Sequence, residues 1–282
     1  MISHPAKCIL SGEHTVLNGG TAIVSPLKTY STTLEYQESS LKLEMFFNSR
    51  PFKKGILNLL QNLALLPRTF SGILNVNSNI PQASGLGSSA ALCVAMANLL
   101  VQHGYILAEK IFEVARMCEN LFHGKSSGVD IAGVMSNSVL LYTMDDGPCS
   151  FIPTWQPHLY VSYSGIPSNT KQAVAKVRKY RNNFPNTGAD QSMENATQQI
   201  YNALTSIDIK SRLQQLRDGL NQSSECFEEW GLIGDFLRTH QNKLIKAGAI
   251  AVKPTGSGVG GHVLSLWQDT PPLHLNLVPI NI

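Results

Sequence analysis

Residues 80–100 read IPQASGLGSSAALCVAMANLL, a glycine-bearing turn that runs straight into a stretch of small apolar residues. Gly85 and Gly87 let the backbone turn tightly, and Ser88 or Ser89 can cap a helix whose first amide N–H groups lack partners. Those groups lie at the positive end of the helix dipole, so the chemistry on offer is phosphate binding. An ordinary turn and N-cap is the plain alternative. Two consecutive serines followed by alanines favour phosphate, because they leave room for a ligand beside the backbone. Two familiar nucleotide loops are excluded. A Walker A loop ending at Gly124-Lys125-Ser126 needs a glycine where Glu119 stands, and G-x-G-x-x-G fails at Ala90.

Glu119 supplies the second clue. On a helix starting at Leu107, residues Ala108, Phe112, Ala115, Glu119 and Phe122 share one face, while Glu109, Glu113, Arg116 and Asn120 share another. A carboxylate among apolar neighbours has to be compensated. A structural salt bridge would do it, and so would magnesium arriving with phosphate, since that ion prefers one or two carboxylates plus phosphate oxygens. Asp130 follows the Ser-Ser-Gly turn of HGKSSGVDIAGVM, where a turn or cap role is the plain reading. Asp145-Asp146-Gly147 is a turn with no chemistry assigned to it. In KPTGSGVGGHVLSL, residues 253–266, Gly256, Gly258, Gly260 and Gly261 permit close backbone approach to a ligand. A flexible surface loop is the alternative there, and the strand-like HVLSLW behind it favours an ordered one.

Mixed elements must position these segments. Residues 8–10, 21–24 and 73–76 read as strands, and 88–102 and 107–122 as helices. A Pro- and Gly-bearing stretch over 145–157 leads to a strand at 158–163. Helices at 170–180, 191–204, 209–220 and 235–246 are followed by strand-like runs at 263–266 and 273–278. This order predicts an α+β protein of two domains, 1–155 and 156–282. Of the 282 residues 43% are hydrophobic and 15% charged, which is the balance of a globular chain. A net charge of +3 suits an anionic small molecule but lacks the clustered basic stripe of a nucleic-acid binder. The five scattered cysteines form no C-x-x-C pair, so neither a disulfide framework nor a zinc site is signalled. No signal peptide is read at the start, and the apolar run over 90–101 is too short to span a bilayer. The expectation is a cytoplasmic protein with neither nucleic acid nor membrane as partner, and a homodimer is left open.

PAKCILSGEHTVLNGG, SGLGSSAA and KPTGSGVGGH, in this order and at these separations, resemble the three motifs of the GHMP kinases: galactokinase, homoserine kinase, mevalonate kinase and phosphomevalonate kinase. The resemblance spans nearly the whole chain. GLGSSAA followed by SGVD is most similar to the mevalonate kinases, as is SGIPSNTKQAVAKV at 164–177. Val16 and Leu17 stand where galactokinases carry Asp and Tyr, and His14 stands where phosphomevalonate kinases usually have Tyr. The resemblance implies a two-domain GHMP kinase fold with the site in the cleft, ATP and Mg2+ as cofactors, and phosphorylation of the terminal hydroxyl of mevalonate. It implies that Asp130 takes the hydroxyl proton beside Lys7, and that Glu119 and Ser89 hold magnesium. Pro81, Ser84, Gly85, Leu86, Gly87, Ser88, Ser89 and Ala90, with Gly256 and Gly258, would bind ATP. Glu13 and His14 would contact the substrate, and Thr170 and Lys171 at a helix start would hold its carboxylate.

Two alternatives stand beside this one. Another substrate of the superfamily, phosphomevalonate or a sugar, keeps the chemistry. A non-catalytic binding protein of the same fold would show the loss of Asp130, Lys7 or Glu119, and all three are present. Four positions depart from the family pattern: Val259 for glycine, His262 for the common cysteine, Ser126 for a frequent proline, and Ser168 for a frequent basic residue. No Lys or Arg occurs between Lys125 and Lys171.

Overall fold

The computed structural model describes residues 1–51, 55–185 and 187–282. β1 (Ile2–Ser11) pairs antiparallel with β2 (Ala22–Lys42), a strand of 21 residues. Only the first six residues of β2 form an unbroken buried run. Its polar remainder is held by cross-strand pairing rather than burial, which is why a hydrophobic pattern ended it at residue 24. β3 (Glu44–Phe47), β4 (Arg50–Pro51), α1 (Gly55–Asn62) and β5 (Ser71–Ser78) follow. α2 (Ser88–Gln102) has the predicted bounds and buries ten residues. It is apolar almost all round because it lies inside, against β1 and β2.

The helix predicted over 107–122 is divided into a 3-10 turn at Ala108–Lys110 and α3 (Ile111–His123). α4 (Val129–Met135) stands where only a turn was expected around Asp130. β6 (Leu140–Thr143) and β7 (Gly147–Ser150) form a hairpin around the Asp145-Asp146 turn, partly inside the stretch read as a connector. The first sheet runs β4-β3-β5-β2-β6-β7, with β1 also on β2.

β8 (His158–Tyr163) has its predicted bounds, and α5 (Thr170–Asn183), α6 (Ala189–Thr205) and α7 (Arg212–Glu229) run past theirs. α8 (Asp235–Lys246) matches its prediction, and β9 (Ala251–Thr255) was not foreseen. Lys253 and Pro254 interrupt the strand signal of β9, and proline is tolerated there because β9 is the last strand of its sheet. β10 (His262–Trp267) pairs with it. The strand read over 273–278 is corrected: a 3-10 turn at Leu273–Leu275 and left-handed Asn276 leave only β11 (Val278–Pro279) extended. The second sheet runs β11-β8-β10-β9. The main core passes from Leu10 and Ile131 through Ile200 and Leu216 to Leu264, so both sheets share it. Among the described residues no helix is long and apolar enough to cross a membrane.

Candidate active site

Lys7 projects from β1 and Asp130 from the first turn of α4, and their Nζ and Oδ1 atoms are 2.6 Å apart. Lys7 is 1% exposed and Asp130 27%, so the pair is closed on one side and open on the other. The glycine loop expected to bind phosphate is built around the lysine stem. Lys7 N donates to Leu86 O at 3.0 Å, and a Cβ on Gly87 would lie 2.9 Å from Lys7 Cγ. Gly87, left-handed at φ 79°, is itself the N-cap of α2 and receives no side-chain cap bond. The expectation that Ser88 or Ser89 caps is therefore corrected: both are already inside the helix, and both line a cavity.

The third glycine-rich segment closes on this loop backbone to backbone. A Cβ on Gly85 would lie 2.7 Å from Thr255 O, so only glycine permits the approach. Ser84 O accepts from His262 N at 3.1 Å and lies 3.0 Å from His262 Nδ1. Burial holds the His262 imidazole below its ordinary pKa, so the neutral ring uses Nδ1–H to grip the loop. The replacement of cysteine thus has a structural task. Val259, where the family usually has glycine, is left-handed at φ 67°, a strained choice for a β-branched residue.

Two cavities meet at Gly85, Asp130 and Thr170, which line both. One, about 510 Å³, follows residues 81–89 and takes in residues 168–171. The other, about 360 Å³, includes Lys7, Glu13, His14, Glu119 and Gly256. Pro81, Ser84, Leu86, Gly87, Ser88 and Ser89 line the first as expected positions, but Ala90 and Gly258 line neither. Ala90 is fully buried in the core, and Gly258 backs onto Phe227 and Leu232. Lys171 lies in the phosphate-loop cavity, away from Glu13 and His14. Successive helical residues diverge by about 100°, so Thr170 borders both cavities while Lys171 serves only one.

Glu119 is 1% exposed. Its Oε2 accepts from Ser126 Oγ, and its Oε1 has no partner. Ser126, at the frequent proline position, also accepts from Gly128 N at 3.1 Å. Burial, and then the negative charge of Asp130, push the Glu119 carboxyl up to about 8. Among the described residues no Lys or Arg pairs with it, so the salt-bridge alternative is not formed. An orphaned buried oxygen beside a second carboxylate fits a divalent cation. Among the described residues no group of three or more His, Cys, Asp or Glu could hold a metal unaided. Magnesium takes much of its shell from phosphate and water. Ser89 lines the phosphate-loop cavity and Glu119 its neighbour, on either side of Asp130.

Glu13 Oε1 is 2.6 Å from Nζ of Lys253 on β9, and both residues are buried. Lys253 escaped the sequence reading because its partner is 240 residues away and no local spacing links them. Glu13 Oε2 is unpartnered, and burial raises this carboxyl above its ordinary value. His14 is strained at φ 65°, packs edge-on against Phe227 and Trp230, and sets Nε2 2.9 Å from Ser257 O. Burial pulls the imidazole down to about 4. Arg181 donates to His14 O at 3.3 Å while forking onto Asp190, and Ser168 Oγ lies 2.7 Å from Ser257 Oγ. Ser126, Arg178 and Arg181 were also not foreseen. The 3.6-residue spacing of Thr170, Val174, Arg178 and Arg181 could have placed the arginines on one stripe.

Residues 52–137 match the family "GHMP kinases N terminal domain". The chain is 28% identical to a mevalonate kinase of Aeropyrum pernix over 95% of its own length and 88% of that protein. In structure it resembles L. major mevalonate kinase in complex with R-mevalonate, with TM-score 0.76, 23% identity and coverage of 95% and 86% of the two chains. Streptococcus pneumoniae phosphomevalonate kinase in complex with phosphomevalonate and AMPPNP gives TM-score 0.75 at 14% identity, covering 95% and 92%. The match over residues 52–137, the likeness to mevalonate kinases along most of the chain and the shared fold point the same way: this chain is similar in sequence and in fold to the GHMP kinases.

Proposed function

We propose that this protein transfers a phosphoryl group from ATP to the terminal hydroxyl of mevalonate, giving 5-phosphomevalonate. The observation that carries the reading is the Lys7–Asp130 pair at the junction of the two cavities, closed on the lysine side and open on the carboxylate side. The mevalonate kinase named among its sequence relatives supports the choice of substrate.

In this reading the phosphate-loop cavity takes the nucleotide and its neighbour takes the alcohol. Asp130 accepts the hydroxyl proton as the oxygen becomes the nucleophile. The Lys7 ammonium holds Asp130 in place and offsets negative charge that gathers at the junction. Backbone amides at the start of α2, with Ser88 and Ser89, receive phosphate oxygens. Glu119 and Ser89 would hold magnesium, which when bound neutralises phosphate charge. Glu13 and His14 shape the alcohol's side, and His14 stays neutral at ordinary pH. We also take 1–155 and 156–282 as the two domains of the cleft, a division supported by the change of sheet between β7 and β8. The five free cysteines suit a reducing compartment, and we place the enzyme in the cytoplasm.

The test is ATP-dependent turnover of mevalonate, phosphomevalonate, homoserine and galactose in parallel. The largest kcat/KM is expected with mevalonate, and a clear preference for any of the others overturns the choice of substrate.

A further inference from the structure

Ser126 stands where a proline is frequent in the GHMP kinases, and it makes three hydrogen bonds that a proline could not make. Its N–H donates to Asn120 Oδ1 at 2.8 Å. Its hydroxyl donates to Glu119 Oε2, and the same oxygen accepts from Gly128 N at 3.1 Å. Glu119 and Asn120 are neighbours near the end of α3, so the serine is tied twice to that helix. Gly128 is the N-cap of α4, and Asp130 is the second residue of α4. One hydroxyl thus joins the carboxylate suited to a cation to the turn that carries the expected proton acceptor.

The chemistry of a hydroxyl permits this bridge, because its single proton goes to Glu119 and a lone pair remains for the Gly128 N–H. A glutamate carboxylate turns about its last torsion over a broad, roughly two-fold range. The bond from Ser126 occupies Oε2 and restrains that rotation, which leaves the unpartnered Oε1 as the oxygen free to meet an ion. Glu119, Ser126 and Asp130 line one cavity. The same turn is held from its other side by Tyr142, whose buried hydroxyl donates to Ser127 O at 2.6 Å, a bond in which Glu119 takes no part.

Resting on the functional reading above, we infer that Ser126 is a positioning residue for magnesium: it grips one oxygen of Glu119 so that the other is presented to the ion arriving with ATP. A proline would leave that carboxylate to be oriented by other means, so dependence on a serine hydroxyl is a property of this chain.

The experiment is calorimetric binding of AMPPNP, once with magnesium and once with a chelator. It compares the parent with Ser126→Ala, Ser126→Pro, Ser126→Thr, Tyr142→Phe, Glu119→Gln, and Ser126→Ala combined with Glu119→Gln. The readout is the factor by which magnesium tightens nucleotide binding. Ser126→Ala is expected to shrink that factor roughly tenfold, as loss of a partner that orients a metal-holding side chain does, while metal-free affinity stays near the parent's. Ser126→Pro removes the hydroxyl a second way and should lose at least as much, and Ser126→Thr should recover most of the loss. In the Glu119→Gln background Ser126→Ala should add nothing, because the hydroxyl acts through that carboxylate. Tyr142→Phe loosens the same turn and should keep the parental factor. An unchanged factor in Ser126→Ala, an equal loss in Tyr142→Phe, or a full further loss in the Glu119→Gln background overturns the inference and leaves the functional reading intact. A parent whose nucleotide affinity ignores magnesium overturns both. A parent that responds to magnesium and does not phosphorylate mevalonate overturns the choice of substrate alone.

Discussion

Two lysine–carboxylate pairs lie at the same cleft with the same 2.6 Å separation, and they have opposite characters. Lys253 and Glu13 are 0% and 2% exposed and tie the second sheet to the segment after β1. The Lys253 ammonium also lies 5.3 Å from the centre of the Phe227 ring. Lys7 and Asp130 both come from the first half of the chain, and Asp130 keeps 27% of its side chain open to the cavities. A pair this deeply buried serves first to hold two parts of the fold together, although Glu13 still borders a cavity. A pair sealed on one side presents a held carboxylate to whatever enters. What separates the two pairs is thus access, since contact distance is the same.

The sharpest way to break this contrast is at Asp130. Asp130→Asn should lower turnover by on the order of a hundred- to ten-thousand-fold, while melting temperature and nucleotide binding stay near those of the parent. Near-normal turnover in a folded Asp130→Asn protein would remove the open pair from the mechanism. The sealed pair should respond in stability. Lys253→Met leaves the Glu13 carboxyl buried without its partner, at a cost of about 3–5 kcal/mol in denaturant unfolding. Adding Glu13→Leu should return much of that loss, because an apolar pair needs no compensation. Lys7→Met, whose partner still reaches water, should destabilise far less; equal losses at Lys7 and Lys253 would erase the distinction.

His14 tests the sealed side by pH. Its pKa is pulled down to about 4 in the folded protein, below the usual histidine value. Between those values the unfolded chain binds more protons, so stability falls as pH is lowered from about 6.5 through 4, by up to about 3 kcal/mol. His14→Asn should flatten that part of the pH profile, and an unchanged profile would show that His14 is not sealed. The smallest effect is expected at Glu119. Glu119→Gln removes a carboxyl that a bound cation could ionise and should raise the magnesium needed for half-maximal rate by roughly tenfold. A magnesium titration identical to the parent's would leave Glu119 a structural residue.

Legibility in the sequence followed the range of the interaction. α2 and β8 were read to the residue because each carries its own signal: a glycine turn into a long apolar run, and a short apolar run after a Pro-bearing connector. Glu119 was legible as an anomaly, a carboxylate in register with Phe112 and Ala115, and it is buried. The later half of β2, the strand β9 and the helix α4 were not legible, since polar residues, proline and a glycine turn mask elements that neighbours sustain.

By itself the sequence determined the α+β class, the glycine turn that opens α2, the third glycine segment and the presence of Lys7, Glu119 and Asp130. Each of these follows from residue type and spacing within one segment. Only the tertiary structure decided that Lys253 closes on Glu13, and that Lys171 lines the cavity along residues 81–89 while Arg178 lines its neighbour. Those outcomes depend on which faces of distant elements meet when both sheets close on a common core, and no pattern local to the chain encodes that meeting.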